Sequence, residues 1–179
     1  MNKWLSILLL VFIAACGVVP EEKLAADGKP LPKLYDLATV DAATLQFRML
    51  DAVNALRSGA GLNQLTFNAK LTAAAATHSR DMALQNRPWH FGSDGSSPLD
   101  RVKRVGYEKQ FLGETISETY ESEILTLAAW IEDDATRFIL MDQGATEMGF
   151  SWFQEPNGKI WWTLVTGGPM LSARDVTAG

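Results

Sequence analysis

The sequence predicts an α+β domain in which four helices precede a C-terminal antiparallel hairpin. Apolar residues recur at helical spacing through much of residues 41–132. Two strand-like runs, residues 147–155 and 158–166, flank a Pro-Asn-Gly turn signal at 156–158. A chain of 179 residues, of which 47% are hydrophobic, is expected to form one such domain. The predicted architecture is therefore a small sheet with helices packed on it.

The first two helices are predicted from apolar spacing and from the residues at their ends. Residues 41–58 repeat apolar side chains on one face, and Gly59 follows as a stop signal. Residues 65–67 form a short extended piece. Asn68 is a typical N-cap for a second helix, which runs to about Asn86.

Two shorter helices are predicted further along the chain. A serine followed by a proline at 97–98 predicts a cap and the first turn of a helix that ends near Val105. Residues 107–120 show no regular pattern and are predicted to be irregular. Residues 121–132 predict the fourth helix. Its inward face is expected to hold Ile124, Leu127, Ala128 and Ile131.

The beginning of the chain predicts export. A short basic start precedes an apolar run over residues 4–13, which is too short to span a bilayer and has the length of a signal-peptide core. The sequence Ile-Ala-Ala-Cys at 13–16 looks like a lipobox, in which the cysteine is acylated and becomes the first residue of the mature chain. An ordinary signal peptide with a chance cysteine is the alternative. Because the only cysteine falls at the expected cleavage site, we predict a lipoprotein with residues 1–15 as its signal peptide.

This interpretation divides the mature chain into three parts. Residues 16–40 are predicted to be a flexible tether, residues 41–170 the domain, and residues 171–179 a C-terminal tail. The mature chain loses Lys3, so its formal charge is 15 − 21 = −6, which argues against a nucleic-acid partner. With no second cysteine there is no intrachain disulfide, and the core alone must hold the fold.

The membrane is the predicted partner, through acylated Cys16. Each buried lipid CH₂ contributes about 0.8 kcal/mol, so several acyl or palmitate-like chains would anchor the domain stably. Gly17 follows the cysteine, and the resemblance to lipoprotein sorting signals implies the outer membrane if the host has one. The domain would then face the periplasm or the cell surface.

Candidate chemistry centres on one loop histidine and one carboxylate. The chain has two histidines, and His78 lies within the second helix, where a packed structural role is expected. His90 lies in a loop, and Glu114 follows in another segment predicted to be irregular. The two side chains could converge as an acid/base pair or as half of a metal site. Alternatively, they hydrogen-bond each other and hold two loops together.

Several stretches are informative when they are taken together and in order. They are Asn54-Ala55-Leu56-Arg57, residues 62–68 and 78–83, His90, residues 94–98, Gly113-Glu114-Thr115-Ile116, Ala129-Trp130, Arg137, Thr146-Glu147-Met148-Gly149 and Trp162-Thr163-Leu164-Val165. This set resembles a bacterial domain of the CAP family, also called the SCP/PR-1-like family, over about residues 51–167. The resemblance implies an α/β/α sandwich with a small antiparallel sheet between helices.

The resemblance also implies a cleft with two histidines and two acidic residues, which in some members bind a divalent metal such as zinc. His90 and Glu114 stand where the first histidine and the first glutamate belong, and Asp133 is the best match for the second acid. The second histidine is missing, because Thr136 or Trp161 occupies its place. One histidine with carboxylates makes a poor zinc site, so we expect no cofactor and at most weak binding of a divalent metal.

Three functions remain open at this stage. Because the implied cleft lacks its second histidine, the sequence favours a non-catalytic module that binds an unknown ligand or protein of the cell envelope. A metal-assisted or acid/base hydrolase, protease-like, would use His90, Glu114 and Asp133 as its candidate catalytic residues. Lipid or sterol binding is the third function, which the resemblance implies for some members. The tryptophans that could line an apolar pocket, although core positions are the commoner use, are Trp89, Trp130, Trp152, Trp161 and Trp162.

Overall fold

The computed structural model describes residues 35–119 and 121–170. The predicted signal peptide, Cys16, most of the predicted tether and the tail at 171–179 lie outside the described residues. Five helices and four strands follow one another within the described part of the chain. The helices are α1 (Ala42–Gly59), α2 (Ala69–Gln85), α3 (Pro98–Arg104), α4 (Glu123–Glu132) and α5 (Asp134–Leu140), and a 3₁₀ turn spans Leu37–Thr39. The strands are β1 (Thr66–Phe67), β2 (Gln110–Thr119), β3 (Glu147–Gln154) and β4 (Ile160–Gly168).

Side-chain caps begin the first three helices. The carboxylate of Asp41 accepts from the Thr44 N–H at the start of α1, and Asn68 caps α2 as the sequence predicts. Ser97 and Asp100 form a reciprocal capping box at the start of α3. The predicted boundaries of these helices are therefore close to the observed ones.

The sheet has the strand order β1-β3-β4-β2. The predicted hairpin is confirmed, because β3 and β4 pair antiparallel with Trp152 opposite Trp162, while β1 pairs parallel to β3. Helices α2 and α3 pack on one face of the sheet, and α1, α4 and α5 pack on the other. The α+β class and the α/β/α sandwich that the resemblance implies are both confirmed.

Strand β2 corrects the prediction that residues 107–120 are irregular. Gln110–Thr119 pairs antiparallel with β4 and forms the edge of the sheet, with a register shift between Phe111 and Gly113. Its residues alternate between the two faces, but Glu114 and Glu118 stand on the same face as Ile116. Because charged residues occupy positions where a strand pattern requires apolar ones, the period-2 signal is absent from the sequence.

Close packing of α2 on the sheet depends on small residues. A Cβ atom at Gly149 of β3 would lie 2.1 Å from the main-chain carbon of Leu71, so only glycine fits there. Ala74 and Ala75 of α2 are also buried. The helix that carries His78 is therefore held at a fixed, short distance from the sheet.

The inward face of α4 differs from the predicted one. Leu127 is buried as expected, but Ile124 is 43% exposed and Ala128 is exposed. The buried positions are Glu123, Thr126, Leu127 and Trp130. The helix is thus turned so that Trp130, rather than Ile124, reaches the core.

Residues 35–40, assigned above to the tether, lie against the domain. Leu37 is buried, and the Gln154 side chain accepts from the Leu37 N–H and donates to the Tyr35 carbonyl. The Tyr35 hydroxyl donates to Glu123 of α4. Among the described helices, none has the length and apolar character needed to cross a membrane.

Candidate functional site

The site lies where three elements meet on the α2/α3 face of the sheet. Residues 87–97, which connect α2 to α3 and are called the His90 loop below, carry His90. Strand β2 carries Glu114, which stands opposite Val165 of β4 on the face covered by α2 and α3. The Glu114 side chain is 2% exposed. A carboxylate at this depth must find partners within the protein.

His90 and Glu114 are hydrogen-bonded. The Nδ1 atom of His90 lies 2.9 Å from Oε1 of Glu114. An ionised carboxylate only accepts, so Nδ1 carries the proton and donates it. In the neutral ring Nε2 is then an acceptor, on a side chain that is 49% exposed. The histidine and the glutamate that the sequence singled out are therefore brought together across two segments.

Arg101 of α3 is the main partner of Glu114, and it was not among the site residues predicted from the sequence. Its Nη2 atom donates to both carboxylate oxygens, at 2.9 and 2.8 Å, and its side chain is only 4% exposed. The short basic run at 101–104 is typical of the solvated face of a helix, and for Arg101 that interpretation is wrong. Hydrogen bonds between a guanidinium and an ionised carboxylate are shorter and stronger than those between neutral groups.

His78 of α2 is the fourth residue of the cluster. It is fully buried, and its Nε2 atom lies 2.9 Å from the Trp89 carbonyl and 3.6 Å from Oε1 of Glu114. Burial lowers the pKa of His78 and outweighs the charge of Glu114, which raises it, while the charge of Arg101 lowers it further. The ring is therefore neutral at pH 7, with Nε2–H donated to the carbonyl. Its Nδ1 atom is buried and has no hydrogen-bond partner among the described residues.

Asp133, the proposed second acid, is not joined to this cluster. It is exposed and caps α5, accepting from the main-chain N–H groups of Ala135 and Thr136 at 2.9 and 3.0 Å. The Thr136 N–H bond is the largest cause of the lowered pKa of Asp133. The Thr136 hydroxyl donates to the Trp130 carbonyl. Within the described residues, no hydrogen bond links Asp133 or Thr136 to His90 or Glu114.

The donor set does not suit a divalent metal. Both oxygens of Glu114 already accept from Arg101, and a positively charged guanidinium there opposes a second cation. The Nδ1 atom of His90 is held by the same carboxylate. Across the described part of the chain, no group of three or more His, Cys, Asp or Glu side chains has an arrangement that could hold a metal ion.

A weak sequence signal could have found Arg101. Residues at i and i+4 of a helix share a face, and Arg101 is followed at that spacing by Val105, which packs against the core under α2. Val102, next in the chain, is 2% exposed. Lys103 and Arg104 are exposed, so the charge run in α3 consists of one buried cation and two solvated ones. The proximity of His78 to Glu114 depends on tertiary packing and has no local signal.

Solved structures with the same fold include proteins from several bacteria. An outer surface protein from Borrelia burgdorferi superposes with a TM-score of 0.63 at 14% identity, covering 73% of this chain and 96% of that one. An extracellular protein containing an SCP domain from Bacillus anthracis gives a TM-score of 0.63 at 20% identity, covering 72% of this chain and 44% of that one. The CAP domain of enterococcal PrgA gives 0.53 at 16% identity, covering 78% of this chain and 69% of that one.

Sequence comparison gives the family. No curated protein matches the chain at a significant level. The family model described as CAP, the cysteine-rich secretory protein family, matches residues 50–166. That range contains α2, α3 and β2, and hence the whole Arg101–Glu114–His90–His78 cluster. The chain belongs to the CAP family.

Proposed function

We propose that this chain is a lipid-anchored CAP domain that acts as a non-catalytic binding module of the cell envelope. One observation carries the proposal: the buried carboxylate of Glu114 is committed to Arg101 and His90. Both oxygens of that carboxylate accept from Arg101, and Oε1 also accepts from His90, so a metal ion would have to compete with a guanidinium already in place. The cluster therefore supports the shape of the His90 loop, and that loop presents exposed side chains to a ligand.

The exposed side chains beside the cluster suit binding. Phe91 is 48% exposed and packs near Trp89, with ring centroids 5.6 Å apart. The guanidinium of Arg87 lies 3.8 Å from the centroid of the Trp89 ring. Aromatic and arginine side chains are enriched where proteins bind partners. The His90 loop therefore offers a fixed aromatic surface next to an imidazole.

An acid/base hydrolase is the second candidate, and the orientation of His90 is the observation that favours it. A carboxylate on Nδ1 and a free Nε2 acceptor are the arrangement of a general base. Neither Ser93 nor Ser97 is paired with this base, because the Ser93 hydroxyl donates to Asp81 and the Ser97 hydroxyl donates to Asp100. Hydrolysis of casein or of p-nitrophenyl esters that disappears in His90→Ala would favour this candidate over the binding module.

Lipid or sterol binding is the third candidate, but its site is not the one that the tryptophans suggest. Trp161 and Trp162 are fully buried, and Trp130 is 4% exposed, so these rings form core. An apolar groove of about 520 Å³ instead runs between α1 and α4, lined by Leu56, Ile124 and neighbouring alanines. Lipid that remains bound through purification and is lost in Ala55→Trp, which would fill the groove, would support this candidate.

Lipid anchoring at Cys16 gives the first prediction. Changing Cys16 to Ser should remove the acyl mass and either release the chain from the membrane fraction or leave it misprocessed, because the acylated residue is gone. Mass spectrometry and fractionation measure both effects. The names of two fold relatives, an outer surface protein and an extracellular protein, support an address outside the cytoplasm. A Cys16→Ser chain that keeps an acyl mass shift would contradict the lipobox.

Site-specific cross-linking tests the binding function. A photoreactive benzoylphenylalanine in place of Phe91, beside His90, should give a discrete adduct in intact cell envelopes when the full-length chain is irradiated. The matched control is the same substitution at Phe138 of α5, which is 73% exposed on the opposite face of the sheet. Adducts from both positions alike, or none from position 91, would contradict binding through the His90 loop.

A further inference from the structure

The guanidinium of Arg101 lies among four oxygen acceptors. Its Nη2 atom donates to the two carboxylate oxygens of Glu114, and its Nη1 atom donates to the main-chain carbonyls of His90 and Ser96, at 3.0 and 3.1 Å. Those carbonyls belong to the His90 loop, whereas Glu114 belongs to β2. One cation therefore joins the loop to the sheet from a position in α3.

The arrangement of these four oxygens suits the two terminal nitrogens of a planar guanidinium better than a spherical metal ion. They are divided in two pairs, one pair on each terminal nitrogen, at the spacing of N–H···O hydrogen bonds. Calcium needs six to eight oxygens around one centre at about 2.3–2.6 Å. Zinc prefers nitrogen and sulfur ligands, and the four acceptors of Arg101 are all oxygens.

We propose that the Arg101 guanidinium is the resident cation of the His90–Glu114 cluster. It supplies from within the chain the positive charge that a bound metal would otherwise bring to Glu114. The proposal goes beyond a binding role, because it makes the ordered conformation of the His90 loop depend on the Arg101 side chain. It follows that the conformation of the His90 loop does not depend on divalent metal and fails when the guanidinium is removed.

Rescue by free guanidinium provides the test. Arg101→Ala should leave a cavity that free guanidinium can enter, since it carries the same donors as the lost side chain. The His90 loop of this variant should be cut by chymotrypsin after Phe91 at least about tenfold faster than in the unaltered chain, because cleavage follows the population of the open loop. About 20 mM guanidinium chloride, far below the molar concentrations that unfold proteins, should bring the rate back to within about threefold.

The controls separate this effect from general stabilisation. Arg104→Ala removes an exposed arginine of the same helix, paired with Asp94, and should change neither the cleavage rate nor its response to guanidinium. Potassium chloride and urea at the same concentration should not rescue Arg101→Ala. Adding Glu114→Gln to Arg101→Ala should abolish rescue, because the carboxylate that holds the cation is gone.

Each outcome bears on the proposal. Rescue by calcium, magnesium or zinc instead of guanidinium would overturn it, as would absence of any rescue or a normal cleavage rate in Arg101→Ala. If Arg101→Ala does not fold in buffer, the yield on refolding with guanidinium, with each metal ion and with neither gives the same decision. Because cleavage and refolding report loop order only, failure here leaves the cross-linking test of the binding function unaffected.

Discussion

Replacing Arg101 with Met should destabilise the domain by about 3–5 kcal/mol, the usual cost of leaving one member of a buried ion pair alone. The side chain is 4% exposed, and its loss leaves the 2% exposed carboxylate of Glu114 with the His90 hydrogen bond but without its cationic partner. Urea unfolding of the Cys16→Ser chain without its signal peptide, followed by circular dichroism at pH 7, measures the free energy of unfolding.

Two companion variants make this result specific. Arg104→Met should change the free energy of unfolding by at most about 0.5 kcal/mol, because Arg104 and Asp94 are both solvated. Arg101→Met combined with Glu114→Leu should recover most of the loss, since an apolar pair no longer buries an unpaired charge. A single Arg101→Met variant as stable as the parent would show that the ion pair contributes nothing.

Truncating Trp130 to Ala should cost a similar amount, about 3–5 kcal/mol. The indole is 4% exposed within the core between α4 and the sheet, and its Nε1–H donates to the Ile116 carbonyl of β2 at 3.1 Å. The variant loses packing and leaves that carbonyl without its donor. The same urea titration measures the change.

Phe138→Ala is the matched control for this truncation. Phe138 is 73% exposed on the neighbouring helix α5, so its removal should leave the free energy of unfolding almost unchanged. If Trp130→Ala unfolded at the same urea concentration as the parent, the placement of α4 against the sheet would be contradicted.

Local patterns predicted most of the fold. Asn68 and Ser97 identified two helix starts because capping is a short-range interaction, and the Pro-Asn-Gly turn identified the hairpin. Strand β2 was missed because Glu114 points into the protein, where a strand pattern calls for an apolar residue. The inward-facing Glu114, which is central to the site, therefore removed the apolar alternation by which β2 could have been predicted.

The site was predicted only in part. His90 and Glu114 were singled out and are hydrogen-bonded, but Arg101 and the proximity of His78 were not foreseen. A lone arginine in a basic run resembles a solvated residue in sequence, because its burial depends on a carboxylate on another element. Asp133 was the best match for the second acid that the resemblance implies, and in the structure its Oδ1 atom caps α5.

Zinc calorimetry is the most direct test of the claim that the Glu114 carboxylate is structural. The soluble Cys16→Ser chain, titrated at neutral pH, should bind zinc weakly or not at all, because the oxygens of Glu114 already hold Arg101. A His90→Ala variant should give the same trace as its parent. Micromolar or tighter binding that disappears in His90→Ala would contradict the account and indicate a working metal site.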